Sequence, residues 1–313
     1  MDPDAPPDDD AGPGGSTGGE TGGEAMPEHM PPGLCDDPAP AGADQPPPPK
    51  GYSGGACPAI AAGYNVGFMS QGRMREFAFV APTDYDPTKS YPLVFAWYHL
   101  TGNAMEFIDQ LDGQALADYT QALIVVPQDT GEYEFVWPET PLDVGNADVD
   151  LGLFDDLYAC IGEQYNVNTQ CVSSLGVSAG GLWTTFLGQH RGEYLASNLA
   201  FSGGYPPDAF WWGWQTSGHR FASMVLWGGP TDELILNFDA ASRNYIDHLQ
   251  GDGHFVLRCE HQNGHGLPPI EPGDTGPFES VFHFIRNHPY YKAEDSILAA
   301  GMPEIYPDYC QLP

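Results

Sequence analysis

Ser178 stands in the pentapeptide Gly176-Val177-Ser178-Ala179-Gly180, with a glycine two places to either side. The residues before it, 171–177 (CVSSLGV), read as a short strand, and those after it, 179–190 (AGGLWTTFLGQH), as a helix. A chain that passes from strand to helix within a residue or two needs glycines where side chains would collide. Such a turn lifts the serine hydroxyl clear of the sheet edge and leaves backbone N–H groups free beside it. A hydroxyl is a weak nucleophile near neutral pH. It needs an imidazole to accept its proton and a carboxylate to orient that imidazole.

Candidates for both partners follow later apolar runs. Asp232 closes the segment Gly228-Gly229-Pro230-Thr231-Asp232 after the run 221–226, and His265 lies in His261-Gln262-Asn263-Gly264-His265-Gly266 after the run 253–259. His261 is the rival base, and Glu233 and Glu260 are the rival acids. Charge that develops on an attacked carbonyl oxygen needs two N–H donors. Ala179 supplies one, and the turn His99-Leu100-Thr101-Gly102-Asn103 supplies the other from Leu100, with Thr101 as the alternative. His99 beside that turn is a substrate contact or a structural residue. This chemistry requires neither metal nor cofactor.

The elements that must position these groups alternate along the chain. Extended runs are expected at 77–81, 92–98, 122–126, 171–177, 198–201, 221–226 and 253–259. Helices are expected at 149–164, 179–190, 233–249 and 277–285. Short, continuously apolar strands between helices predict an α/β fold, a mostly parallel sheet with helices on both faces. Asp148 and Asp150 would cap or brace loops, and Trp183 would pack between helix and sheet. Phe210-Trp211-Trp212-Gly213-Trp214 follows the strand that ends at Phe201. Trp211, Trp212 and Trp214 would stack on substrate or pack their loop against the body, and Trp137 is a weaker candidate of the same kind.

Bulk properties bound the rest. The first fifty residues are rich in Pro, Gly and Asp, with eleven acids against one base, Lys50. Such a stretch buries too little apolar surface to offset its ordering entropy, so 1–50 is expected to be a disordered acidic leader and 51–313 a single catalytic domain. Net charge is −33, and the acidity continues past the leader. That charge repels nucleic acid and anionic membranes and suits a neutral substrate. No apolar run is long enough to span a membrane. The six cysteines contain no C-x-x-C pair, which argues against zinc or iron–sulfur ligation, and their even number allows three disulfides. Cys160 and Cys171, separated by a short loop, are the expected first pair. Disulfides imply an oxidising compartment, hence a secreted or surface-attached protein, a lipoprotein among the options, with its targeting segment missing from this sequence.

Over roughly residues 54–290 the chain resembles the polyhydroxybutyrate depolymerase and feruloyl or acetylxylan esterase group of α/β-hydrolases. The resemblance rests on Pro92–Asn103, Gly145–Asp150, Gly176–Gly181, Trp227–Asp232 and Gly264-His265. The order Ser, Asp, His is the one expected of that fold. The sequence departs from the group where Leu100 replaces a glycine, Trp227 a histidine, and Leu267-Pro268-Pro269 a Trp-Pro. The resemblance implies a serine esterase with Ser178 as nucleophile, His265 as base and Asp232 as acid. It favours a polyhydroxybutyrate-type polyester or its oligomers as substrate. A feruloylated or acetylated plant glycan, an aromatic polyester and a peptide are the alternatives within the same chemistry. A catalytically silent glycan-binding protein is the reading from outside it.

Overall fold

The runs 92–98 (PLVFAWY) and 122–126 (ALIVV) are continuously apolar, and a strand of that kind is stable only when covered on both faces. The computed structural model, which describes residues 29–130, 147–207, 213–266, 277–292 and 296–312, satisfies that demand. Its nine-stranded sheet runs β1-β2-β4-β3-β5-β6-β7-β8-β9. The strands are β1 (Gly63–Ser70), β2 (Arg73–Val80), β3 (Tyr91–Trp97), β4 (Leu123–Pro127), β5 (Val167–Val177), β6 (Ser197–Phe201), β7 (Ala222–Trp227), β8 (Val256–Glu260) and β9 (Cys310–Gln311). The six from β4 through β8 in sheet order pair parallel, and β1, β2 and β9 pair antiparallel at the edges. Every residue of β3, β4, β6 and β7 is buried.

Six helices cover the sheet: α1 (Ala104–Gln110), α2 (Gly113–Thr120), α3 (Ala147–Gln164), α4 (Ala179–Arg191), α5 (Phe238–Gly251) and α6 (Pro277–Asn287). On one face α2 and α6 are joined by the Tyr119 hydroxyl and Glu279 (3.0 Å). On the other, Asn198 of β6 ties α4 to α5. Its amide donates to the Thr184 carbonyl (2.8 Å), and its side-chain oxygen accepts from the Tyr245 hydroxyl (2.9 Å). Trp183 is fully buried against Trp97, whose ring lies edge-on to it.

Three expectations need correction. The leader does not extend to residue 50. Residues 1–28 lie outside the described residues, but from Met30 on the chain lies against the body. Met30 and Cys35 are buried, the Met30 N–H donates to the Tyr119 carbonyl (2.7 Å), Asp36 pairs with Arg286, and Gln170 donates to the Asp44 carbonyl (2.9 Å). A segment poor in aliphatic residues is held by disulfide and polar contacts instead of by its own core.

The cysteine pairing differs for the same reason. Cys160 of α3 bonds to Cys57 and Cys171 of β5 to Cys35, with Cα atoms 5.3 and 6.0 Å apart. Cys259 and Cys310 join β8 to β9. Helix and strand each meet a different stretch of the N-terminal chain, so nearness in sequence does not decide the partner. The bonds close segments 136, 103 and 51 residues long. In a chain-entropy account each, taken alone, stabilises the fold by about 4–5 kcal/mol.

The third correction concerns α5, which begins at Phe238 and not at 233. The Asn237 side chain accepts from the Ala240 N–H (2.7 Å) and caps the helix there, while Glu233 and Asn237 bridge across a tight loop. Strands β1 and β9 and helices α1 and α2 add to the elements expected. Asp150 is a brace: it forms a fully buried pair with Arg75 (2.7 Å) that ties the start of α3 to β2.

Buried histidines contribute to the acid sensitivity of this fold. His288 is fully buried, its Nδ1–H donating to the Phe284 carbonyl (2.8 Å) and its Nε2 accepting from the Ser296 hydroxyl (2.5 Å). Burial pushes its pKa down to about 4 from an ordinary value near 6.5. His254, His261 and His283 are lowered by burial as well. The unfolded chain therefore binds more protons than the native one between those values, and stability falls as pH drops through that window. Between pH 7 and 5 the loss from His288 alone is on the order of 2 kcal/mol. Urea melts at the two pH values check it, with His288→Gln expected to show a shallower pH dependence than the unaltered chain.

Candidate active site

Strand β5 ends at Val177, helix α4 begins at Ala179, and Ser178 makes the whole turn between them at φ 56°, ψ −116°. That strained conformation is held by its N–H, which donates to the Phe201 carbonyl (2.9 Å), and by backbone packed too closely for side chains. A Cβ on Gly176 would sit 1.9 Å from the Gly180 carbonyl oxygen, and one on Gly180 would sit 2.1 Å from that of Trp97. The glycines thus let helix, elbow and neighbouring strand meet backbone to backbone. Ser178 is 7% exposed, and its hydroxyl faces a cavity.

Two loops bring the partners to it. After β7 a single helical turn, Gly229–Thr231, delivers Asp232, which is fully buried. After β8 the loop through Gly264 delivers His265. The Gly264 N–H donates to the Gly228 carbonyl (3.0 Å), which fastens one loop to the other. His265 Nε2 lies 2.9 Å from Ser178 Oγ, and His265 Nδ1 lies 2.7 Å from Asp232 Oδ1. The second carboxylate oxygen of Asp232 accepts from the Ser202 hydroxyl (2.8 Å) and the Gly228 N–H (2.9 Å). Burial alone would raise the Asp232 pKa. The bonds from His265, Gly228 and Ser202 outweigh it and hold the carboxyl below its usual range, so the acid stays ionised into acid solution. The imidazole is stacked on Phe238 at the start of α5, with centroids 4.4 Å apart.

The rival residues are engaged elsewhere. His261 is buried, accepts from the Asn263 N–H (3.2 Å) and lies edge-on to Tyr309. Glu233 accepts from the Asn237 amide, and Glu260 pairs with Arg243 and accepts from Gln262.

Ala179 is the first residue of α4, where the N–H has no carbonyl within the helix to donate to. The turn expected to carry the second donor follows β3. The Gly102 N–H closes it on the His99 carbonyl (3.1 Å), and Thr101 carries the positive φ, 66°, that the sharp reversal demands. His99 lines the cavity, and its Nδ1 lies 2.9 Å from the Leu100 carbonyl, fixing ring and peptide together. The Leu100 side chain packs against the core and does not line the cavity.

The cavity has a volume of about 490 Å3. Ser178, His99 and His265 stand on its polar side, and Phe107, Leu111, Phe201, Leu226 and Phe278 supply apolar wall. Trp214 is not part of it. Its indole donates to Asp252 (2.9 Å) and stacks on His248, which places it at the far end of α5 from His265. Trp137, Trp211 and Trp212 lie outside the described residues. Ser202, Phe238, Phe107 and Leu111 were not anticipated. For the last two a signal existed: Asn103 as helix cap, with Phe107, Ile108 and Leu111 spaced for one helix face. Among the described residues no cluster of three or more His, Cys, Asp or Glu side chains is arranged to hold a metal ion, and no helix is long and apolar enough to cross a membrane.

A mostly parallel sheet with helices on both faces and a strand–serine–helix elbow at its centre is the α/β-hydrolase fold. Solved structures share it at low sequence identity. The native form of pOPH matches with a TM-score of 0.66 at 14% identity, covering 82% of this chain and 97% of its own. A CE1 ferulic acid esterase from Anaeromyces mucronatus matches with a TM-score of 0.53 at 16% identity, covering 82% and 95%. LpqC, a poly(3-hydroxybutyrate) depolymerase from Bordetella parapertussis, matches with a TM-score of 0.50 at 17% identity, covering 72% and 89%. No family description and no curated protein sequence matches the chain.

Proposed function

We propose that the protein is a serine hydrolase acting on carboxylic esters. The observation that carries this reading is the unbroken chain of contacts from Ser178 Oγ to His265 Nε2 (2.9 Å) and from His265 Nδ1 to Asp232 (2.7 Å), beside an apolar cavity. His265 takes the Ser178 proton as Oγ attacks the ester carbonyl carbon. The tetrahedral oxyanion is held by the N–H groups of Ala179 and Leu100. His265 then gives its proton to the departing alkoxide, which leaves as an alcohol, and the acyl group remains on Ser178. Water, deprotonated by His265, attacks that acyl-enzyme and releases the acid. Asp232 stays ionised throughout and stabilises the imidazolium.

A short hydroxyalkanoate ester, polymeric or oligomeric, is the substrate class proposed. The wall of Phe107, Leu111, Leu226 and Phe278 accepts a short aliphatic acyl group and offers no charged partner for a carboxylate. The three aromatic rings that line the cavity, Phe107, Phe201 and Phe278, favour a feruloyl ester as the second reading. Three disulfides in a strongly acidic chain suit an exported enzyme. Initial rates on hydroxybutyrate oligomers, p-nitrophenyl butyrate, methyl ferulate and acetylated xylan test the proposal. The hydroxybutyrate and butyrate esters are expected to turn over at least about tenfold faster than the others. Faster turnover of methyl ferulate selects the second reading, and hydrolysis of none of them rejects the esterase.

A further inference from the structure

Large apolar side chains stand exposed at the surface in seven places among the described residues, and strand register and element order put them at or near the carboxyl ends of the parallel strands, where Ser178 lies. Five are gathered at the β1–β2 edge: Tyr64, Val66, Met69, Met74 and Met105. Phe77 of β2 pairs with Pro127, the last residue of β4, so residues 73–76 project past the carboxyl end of that strand. Met69 pairs with Met74 and projects with it. The Tyr64 hydroxyl donates to Glu76 (2.6 Å), and Tyr64 joins Met105 and Asn103 around a shallow hollow of about 380 Å3. The other two, Leu234 and Ile235, are 69% and 63% exposed at the tip of the loop between Asp232 and α5. None of the seven lines the cavity.

In sheet order five strand spacings separate β2 from β7, roughly 24 Å, and β4, β3, β5 and β6 lie between them, with Ser178 at the end of β5. The catalytic cavity is therefore flanked by two apolar lips. Scattered single apolar residues need no explanation, but apolar residues confined to the side that carries the opening do. The surroundings narrow the partner. Glu76, Glu106 and Glu233 are exposed among the lips, and the chain carries a net charge of −33, so an anionic surface is repelled.

We propose that the two lips form an adsorption face that seats the protein on an uncharged, water-insoluble ester phase with Ser178 turned toward it. The proposal rests on the esterase reading for its orientation, and it concerns binding at an interface, a step separate from the chemistry at Ser178.

Adsorption is measured first with Ser178→Ala, so that hydrolysis does not erode the surface, by depletion of protein from a tributyrin emulsion. Adding Val66→Ser, Met74→Ser, Leu234→Ser and Ile235→Ser is expected to lower the partition onto droplets by at least about tenfold. In the active chain the same four substitutions are expected to leave kcat/KM for dissolved p-nitrophenyl acetate within about twofold while droplet hydrolysis falls about tenfold. The two pairs, one per lip, are also made separately, which keeps the test decisive if the fourfold variant does not fold. Partition unchanged in either form overturns the adsorption face. An active chain that hydrolyses no dissolved ester rejects the esterase instead, and the depletion measurement still decides whether the lips bind.

Discussion

Ser178→Ala lowers kcat/KM for an activated ester by roughly a hundred-thousandfold to a millionfold, leaving the slow background that the oxyanion donors and the cavity sustain. On the proposed mechanism the effect is this large because the substitution removes the nucleophile and leaves His265 without a proton to take. The fold is expected to survive. The hydroxyl's contact is with His265, and φ 56° is as strained for alanine as for serine. Initial rates on p-nitrophenyl butyrate, with near-UV circular dichroism as the control for structure, check both halves. Residual activity within about a hundredfold of the unaltered chain would show that another residue attacks the ester.

Asp232→Asn is expected to cost about ten-thousandfold in kcat at pH 7 with little change in KM. The carboxylate at 2.7 Å accepts the Nδ1 proton of His265 and so leaves Nε2 free to take the proton from Ser178. An amide in its place can donate to Nδ1. That selects the opposite tautomer, in which Nε2 already carries a proton and cannot act as base. The loss falls on the chemical step, and an unchanged near-UV circular dichroism spectrum distinguishes it from a misfolded site. Ser202 and the Gly228 N–H hold the other carboxylate oxygen, and they keep the side chain in place when its charge is removed.

Local chemistry made the candidate groups Ser178, Asp232 and His265, which the fold brings into contact, legible in the sequence. The glycines around Ser178 are required by backbone contacts of about 2 Å to any added Cβ, and a requirement that sharp leaves a mark that can be read without coordinates. The uninterrupted apolar runs at β3 and β4 likewise reveal a sheet covered on both faces. What escaped depends on distant partners. Cys160 and Cys171 are eleven residues apart in sequence yet bond to Cys57 and Cys35, because the N-terminal chain crosses α3 and β5 at separate places. A stretch composed like a disordered leader is folded from Met30 onward because a disulfide and the Arg286–Asp36 pair supply what its composition lacks. For Trp214 the sequence leaves substrate stacking and packing against the body open, and the structure shows the packing. Asp252 and His248 at the end of α5, remote from it along the chain, hold it away from the cavity. Ser202 gave no signal beyond its place after a strand, since a supporting hydroxyl is recognisable only beside the carboxylate it serves.

Reaction with a fluorophosphonate, followed by peptide mass mapping, tests most directly whether Ser178 is activated as described. A single adduct on the peptide carrying Ser178, absent from Ser178→Ala and formed far more slowly by Asp232→Asn, is the expected result. An unmodified Ser178 in the folded protein, or an adduct on a different residue, would contradict it.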